Sequence, residues 1–237
     1  MISIIIPAYN EEKYLPATLA AVRRALGGRE SFEIIVVDNN STDNTCEVAF
    51  RLGARVVGER ERNISTVRNT GGDAANGEVL VFIDADTAVR PGLFEKIEDA
   101  MEDTPCVGGS VDVEFETFAH RKWMRYYLLL AQAVARGLGW RQGALQFCRS
   151  SVFRELDGYD ETIFLGEDIE FHWRLDKLAK NRGGHTAFIE EPKVLTSSRR
   201  FEQMSLIRML ILTHPITIFL AWRSPTRWTD WYDNAVR

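Results

Sequence analysis

Four short runs rich in Ile and Val, at residues 2–7, 32–38, 55–58 and 78–84, leave this chain few folds to choose from. They are apolar on both faces, so each strand must be covered from both sides. Segments with helical spacing lie between and after them, near 11–26, 43–53, 65–76 and 91–103. Strands and helices in alternation give a mostly parallel sheet flanked by helices, so the predicted class is α/β. Ser41-Thr42-Asp43 and Pro91-Gly92 stand where helix caps and first-turn residues belong.

After about residue 105 the rhythm changes. A strand is expected over 106–117 and an amphipathic helix over 119–138, carrying Trp123, Tyr126, Tyr127 and Leu128 to Leu130. A strand at 144–149, a short helix at 150–156, a longer helix over 167–181 and a last strand near 186–190 follow. No linker or repeat separates the halves. The expected organisation is one domain over 1–200, with halves 1–105 and 106–200, followed by an apolar helical segment over 201–237.

Composition narrows the function classes. The chain is 45% hydrophobic and 27% charged with a net charge of −5, which supplies no broad phosphate-neutralising surface. No nucleic-acid partner is expected. Cys46, Cys106 and Cys148 show no paired spacing, so they read as buried, reduced thiols rather than a zinc site or a disulfide framework. The apolar start Met1-Ile2-Ser3-Ile4-Ile5-Ile6-Pro7 lacks a basic leader and a cleavage site, and reads as a first strand in a cytoplasmic protein.

In a parallel sheet the carboxyl ends of the strands share one edge, where ligands bind. Here those ends are polar. The first run enters Pro7-Ala8-Tyr9-Asn10-Glu11-Glu12, the second Asp38-Asn39-Asn40-Ser41-Thr42-Asp43, and the fourth Asp84-Ala85-Asp86-Thr87. Asp84 and Asp86 flank a small residue, and hard oxygen ligands in low number suit Mn2+ or Mg2+ shared with a diphosphate. No GxGxxG follows the first strand and no GxxxxGK[ST] occurs anywhere, which disfavours nicotinamide-type Rossmann and P-loop chemistry.

Ile4-Ile5-Ile6-Pro7-Ala8-Tyr9-Asn10-Glu11, Val36-Val37-Asp38-Asn39-Asn40-Ser41-Thr42-Asp43, Val67-Arg68-Asn69 and Phe82-Ile83-Asp84-Ala85-Asp86 together resemble the successive motifs of glycosyltransferase family 2, of GT-A fold. Gly158-Tyr159-Asp160 and Gly166-Glu167-Asp168 resemble its acceptor-side motifs, and the match runs over roughly 2–200. The resemblance implies an inverting, hexosyltransferase-type enzyme that moves a sugar from a UDP- or GDP-sugar donor to a hydroxyl on a carbohydrate or lipid-linked acceptor. It implies that Pro7, Ala8 and Tyr9 line a base pocket with Asp38 accepting from the nucleobase, and that Glu11 belongs to the donor site. Arg68 would reach the base or diphosphate, Asp84 the ribose, and Asp86 the metal, with Asp84 beside it. Asp168 would be the general base and Glu167 its orienting neighbour, whereas Glu170 reads as structural.

Two features depart from that pattern. Many GT-A enzymes complete the metal shell with a histidine beyond the catalytic helix, but residues 194–198 are Val-Leu-Thr-Ser-Ser, and neither His185 nor His214 is assigned. Arg199 and Arg200 are the candidates there, either closing over a diphosphate or forming an exposed pair. The second departure is Leu206 to Trp222, a 17-residue apolar stretch. It touches the lower limit of a spanning helix, about 17–25 residues, but Arg208, His214 and Pro215 weigh against one. Packing on the domain, a homodimer contact, or a membrane interface with Trp222, Arg223, Arg227, Trp228 and Trp231 at headgroup depth stay open. The Trp/Arg cluster favours peripheral contact with the inner face of a membrane. Two rival readings are a sugar nucleotidyltransferase, which would open with a Gly-rich basic loop, and a non-catalytic nucleotide-sugar-binding domain, which would need no general base.

Overall fold

The structure, a computed structural model, describes residues 1–116, 122–137, 144–199 and Arg223. The four apolar runs form β1 (Ile2–Ala8), β2 (Phe32–Asp38), β3 (Arg55–Gly58) and β4 (Val79–Ile83). Between them lie α1 (Leu15–Leu26), α2 (Thr45–Arg51) and α3 (Ile64–Ala74). Then come β5 (Thr87–Ala88), α4 (Leu93–Glu102), β6 (Cys106–Phe115) and α5 (Lys122–Gly137). The chain continues through β7 (Leu145–Arg149), α6 (Ser150–Glu155), α7 (Glu167–Asn181) and β8 (His185–Thr196).

The eight strands form one sheet in the order β3-β2-β1-β4-β7-β6-β8-β5. The β1–β2, β1–β4, β2–β3 and β6–β8 pairs are parallel, and β7 runs antiparallel between β4 and β6. The α/β, GT-A type architecture expected from the sequence is the one observed. Strand alternation sorts the core into two layers. Ile4 and Ile6 pack with Leu15 and Leu19 of α1 and Phe94 and Ile97 of α4 on one face. Ile5, Ile35 and Phe82 pack with Val67 of α3, Phe153 of α6 and Phe171 of α7 on the other. A Cβ at Gly71 of α3 would lie 2.3 Å from Ile5 Cγ2, so only glycine lets that helix settle this close to the sheet.

Pro7 marks where the sheet opens. The Ala8 carbonyl accepts from Asn39 N at 2.8 Å, on the β2 side. Alternation therefore turns Pro7 toward β4, beyond the last β1–β4 pair at Ile5 and Phe82, where a missing N–H breaks no ladder bond.

Two expectations are corrected, and one element is new. The last strand is His185–Thr196, not 186–190. Glu190-Glu191-Pro192-Lys193 breaks the apolar pattern, but pairing resumes after a register shift, with Val194 to Thr196 beside Val113 to Phe115. The two-residue β5 was not anticipated, and it pairs antiparallel with the end of β8. Cys46 is exposed while Cys106 and Cys148 are buried, because α2 turns Thr45 and Ala49 inward and position 46 outward. The stretch 206–222, with Trp222, Arg227, Trp228 and Trp231, lies outside the described residues. Among the described residues no helix is long and apolar enough to cross a membrane.

Candidate functional site

The polar ends of β1 and β2 are fastened to each other. Asn10 and Asn40 take left-handed backbone angles, φ 54° and 61°, which asparagine tolerates better than most residues. Asn10 N donates to Ser41 Oγ at 2.9 Å, and Asn10 Oδ1 accepts from Thr42 N at 2.7 Å. Glu11 N donates to Thr45 Oγ1 at 2.8 Å. Ser41-Thr42-Asp43 thus ties two turns together as well as leading into α2.

Asp38 is buried at the end of β2. Its Oδ2 accepts from Ser41 N at 3.2 Å, and its Oδ1 makes no hydrogen bond of ordinary geometry among the described residues, although the Cys46 thiol lies against the carboxylate and has its pKa pushed up to about 11 by burial and by Asp38. A buried carboxylate oxygen lacking a donor is costly, and a ligand N–H relieves that cost. Pro7 and Ala8 are buried nearby, and half-buried Tyr9 accepts from Arg62 at 2.6 Å, with the guanidinium 4.9 Å from its ring centre.

Asp84-Ala85-Asp86-Thr87 is a tight turn, with Thr87 N donating to Asp84 O at 3.1 Å. Ala85 is buried, and its carbonyl accepts from Thr18 Oγ1 at 2.7 Å. With the middle residue pinned, the two acids face different cations. Asp84 Oδ1 pairs with Arg68 at 3.0 Å, and Asp86 Oδ2 pairs with Arg199 Nε at 3.3 Å. Arg199 also pairs with Glu11 and lies over the Tyr14 ring at 4.1 Å. Thr196 Oγ1 reaches Asp86 Oδ1 at 3.5 Å and accepts from Thr87 at 3.0 Å. Of the two readings open for Arg199, an exposed member of a surface pair is excluded; Arg200 lies outside the described residues.

Arg68 is buried on α3 and joins the two halves of the chain. Its guanidinium pairs with Glu167 at the start of α7 and with Asp84 after β4, and sits 5.3 Å from the Tyr159 ring centre. Burial opposes its charge, but Glu167 and then Asp84 outweigh burial and hold its pKa above the ordinary arginine value. Gly166, with φ 80°, supplies the left-handed corner that starts α7, so Glu167 and Asp168 begin the helix. Asp168 is half-buried, and its carbonyl accepts from Gln146 Nε2 at 2.8 Å. Gln146 in turn accepts from the Tyr159 hydroxyl at 3.0 Å. Burial pushes the Tyr159 pKa well up, so the phenol stays a donor. Glu170 pairs with Arg174 at 2.6 Å, in keeping with a structural role.

Sequence reasoning missed Gln146, Thr196 and Tyr14. An amide inside the otherwise apolar run Leu145-Gln146-Phe147-Cys148 was the available signal for the first. The other two are an ordinary turn residue before α1 and an ordinary strand residue until the fold brings them to Arg199 and Asp86. Among the described residues no cluster of three or more His, Cys, Asp or Glu side chains forms a complete metal cage. Mg2+ or Mn2+ shared with a diphosphate asks for only one or two protein carboxylates, and Asp86 with Asp84 beside it fits that need.

The chain's likenesses agree with this geometry. The model of glycosyl transferase family 2 matches residues 3–157. Dolichyl-phosphate beta-glucosyltransferase of Mus musculus is 30% identical over 150 residues, 54% of this chain and 46% of that protein. The glycosyltransferase AglE of Haloferax volcanii is 25% identical over 183 residues, 73% of this chain and 59% of the relative. The chain thus spans about half the length of the curated relatives it matches. Among solved structures, glucosyl-3-phosphoglycerate synthase of Mycobacterium tuberculosis with Mn2+ and UDP-Glc has a TM-score of 0.60 at 19% identity, covering 94% of this chain and 78% of that one. Mannosyltransferase PcManGT of Pyrobaculum calidifontis with GDP-Man and Mn2+ has a TM-score of 0.61 at 20% identity, covering 83% and 56%. A family match over well more than half the length, on a sheet edge built this way, decides the assignment: the chain belongs to glycosyl transferase family 2.

Proposed function

We propose that this protein is an inverting, metal-assisted glycosyltransferase that moves a sugar from a UDP- or GDP-sugar to a hydroxyl acceptor, with Asp168 as general base. The observation that carries the reading is the Arg68 bridge. One buried guanidinium links the Asp84-Ala85-Asp86 turn of the first half to the Glu167-Asp168 helix start of the second. Donor-side and acceptor-side carboxylates are thereby held on one sheet edge.

On this reading Asp38 Oδ1 accepts an N–H of the nucleobase, beside Pro7, Ala8 and Tyr9. Arg68 acts by holding Asp84 toward the ribose rather than by touching the diphosphate. Arg199 exchanges its contacts with Glu11 and Asp86 for the diphosphate, with Arg200 proposed to assist. A divalent ion held by Asp86, with Asp84 beside it, supplies Lewis-acid stabilisation of the departing diphosphate when bound. Asp168 takes the acceptor hydroxyl proton as that oxygen bonds to the anomeric carbon, and the bond from that carbon to the diphosphate breaks. The nucleoside diphosphate leaves with the electron pair, and the sugar inverts. The name of the mouse relative supports a lipid-linked acceptor, although its attacking oxygen would be a phosphate's, which needs no general base, rather than a hydroxyl's.

Hydrolysis of UDP- and GDP-sugars tests this in the absence of acceptor. Slow, Mn2+- or Mg2+-dependent release of the nucleotide is expected, with a loss of about 10²-fold or more in Asp86→Ala. Release that is indifferent to EDTA and to that substitution would remove the metal role from Asp86.

A further inference from the structure

The outward stripe of α5 has no place in the reaction described above. Trp123, Tyr126, Leu129, Leu130 and Val134 are all exposed, Tyr126 at 74% and Leu130 at 65%. Their spacing of three and four residues places them on one side of the helix. Gln132, on the other side, is buried and donates to Val113 O of β6 at 3.2 Å, which fixes which side faces out. An amphipathic helix in a globular domain normally buries its apolar stripe. This one presents it.

We propose that α5 is an interfacial helix that seats the protein on the surface of an anionic lipid bilayer. Charge selects this occupant over a protein partner. The helix sequence Lys122–Gly137 contains Lys122, Arg125 and Arg136 and no acidic residue, in a chain whose net charge is −5. Basic residues accompanying an apolar stripe of Trp, Tyr and Leu are the chemistry that anionic headgroups and the outer acyl region recognise together. Sixteen residues give a helix of about 24 Å, too short and too charged to cross a bilayer, so it lies in the plane of the surface.

Its position suits an acceptor held in the membrane. β7 is antiparallel to both β4 and β6, so the Phe115 end of β6 lies at the same edge as the β4 end that carries Asp84 and Asp86. The chain enters α5 seven residues after that strand end. The docking itself is independent of the glycosyl-transfer reading.

Flotation of the full chain with phosphatidylglycerol/phosphatidylcholine vesicles, and with phosphatidylcholine alone, tests it. Binding to the anionic vesicles is expected, weakening as salt rises from 0.1 to 0.5 M. Leu130→Glu should lower the bound fraction roughly tenfold, with the circular-dichroism spectrum and unfolding midpoint unchanged because the side chain is exposed. Tyr126→Ser serves as a second variant with the same expected direction. The proposal is overturned if the wild type ignores anionic vesicles, or if Leu130→Glu floats as well as the wild type. It is equally overturned if that variant instead dissolves a concentration-dependent dimer, which would make a second copy of this chain the occupant.

Discussion

Asp168→Asn is expected to lower transfer turnover about 10²–10⁴-fold, the span that a positioned general base contributes. Donor affinity should stay within about twofold, because asparagine keeps the size of the side chain and its carbonyl oxygen. The helix start need not move: Gly166 makes the corner, and Gln146 holds the backbone carbonyl of Asp168 rather than its carboxylate. Steady-state kinetics with saturating acceptor, beside donor titration on the same variant, separates the two effects. A fall confined to donor KM would assign Asp168 to binding. Near wild-type turnover would mean that the attacking oxygen arrives already deprotonated, as a phosphate oxygen does, and the base role would be lost.

Arg68→Met is the substitution with the largest expected effect on stability. It removes one cation from a buried pair with Glu167, and breaking such a pair costs about 3–5 kcal/mol because the partner is left charged and desolvated. The pair with Asp84 weighs less, since that carboxylate is 39% exposed and solvent screens it. Against a typical stability of about 5–15 kcal/mol, that loss moves the urea midpoint far down. Adding Glu167→Gln should recover part of it by removing the stranded charge. A single variant within about 1 kcal/mol of wild type, measured by urea unfolding, would show that the bridge does not hold the halves together.

The two predictions differ in how far the sequence alone could reach them. The place of Asp168 at a helix start was legible because a glycine followed by two acids opens that helix, and the polar ends of β1, β2 and β4 were legible because each closes an apolar run. Arg68 was expected to reach a base or diphosphate, and its bridge between two carboxylates was not legible. Its partners stand 16 and 99 residues away, and no local pattern announces an ion pair across that distance. Arg199 and Glu11, 188 residues apart, pose the same problem. The end of β8 escaped because Glu190-Glu191-Pro192-Lys193 mimics a loop, although the strand only shifts register there. Cys46 was misplaced because thiol burial is a statistical tendency, while the facing of α2 is decided by Thr45 and Ala49.

The separation of the two acids is the structure's main addition to the site. The resemblance gave Asp84 and Asp86 different roles, and the structure gives them different partners. In the fold Ala85 is pinned by Thr18, so Asp84 faces Arg68 while Asp86 faces Thr196 and Arg199, which also pairs with Glu11. Asp86 thus pairs with Arg199, which shares its charge with Glu11 and lies over the Tyr14 ring. Asp84 pairs with the buried Arg68, whose other partner is Glu167.

Calorimetric titration of UDP and of GDP into the full chain, first with Mn2+ and then with EDTA, tests the central claim most directly. One of the two nucleotides is expected to bind with Mn2+ and to weaken roughly tenfold or more with EDTA, and Asp86→Ala should reproduce the EDTA result in the presence of Mn2+. Absence of binding by both nucleotides with Mn2+ present would contradict the assignment of this sheet edge as a nucleotide-sugar site.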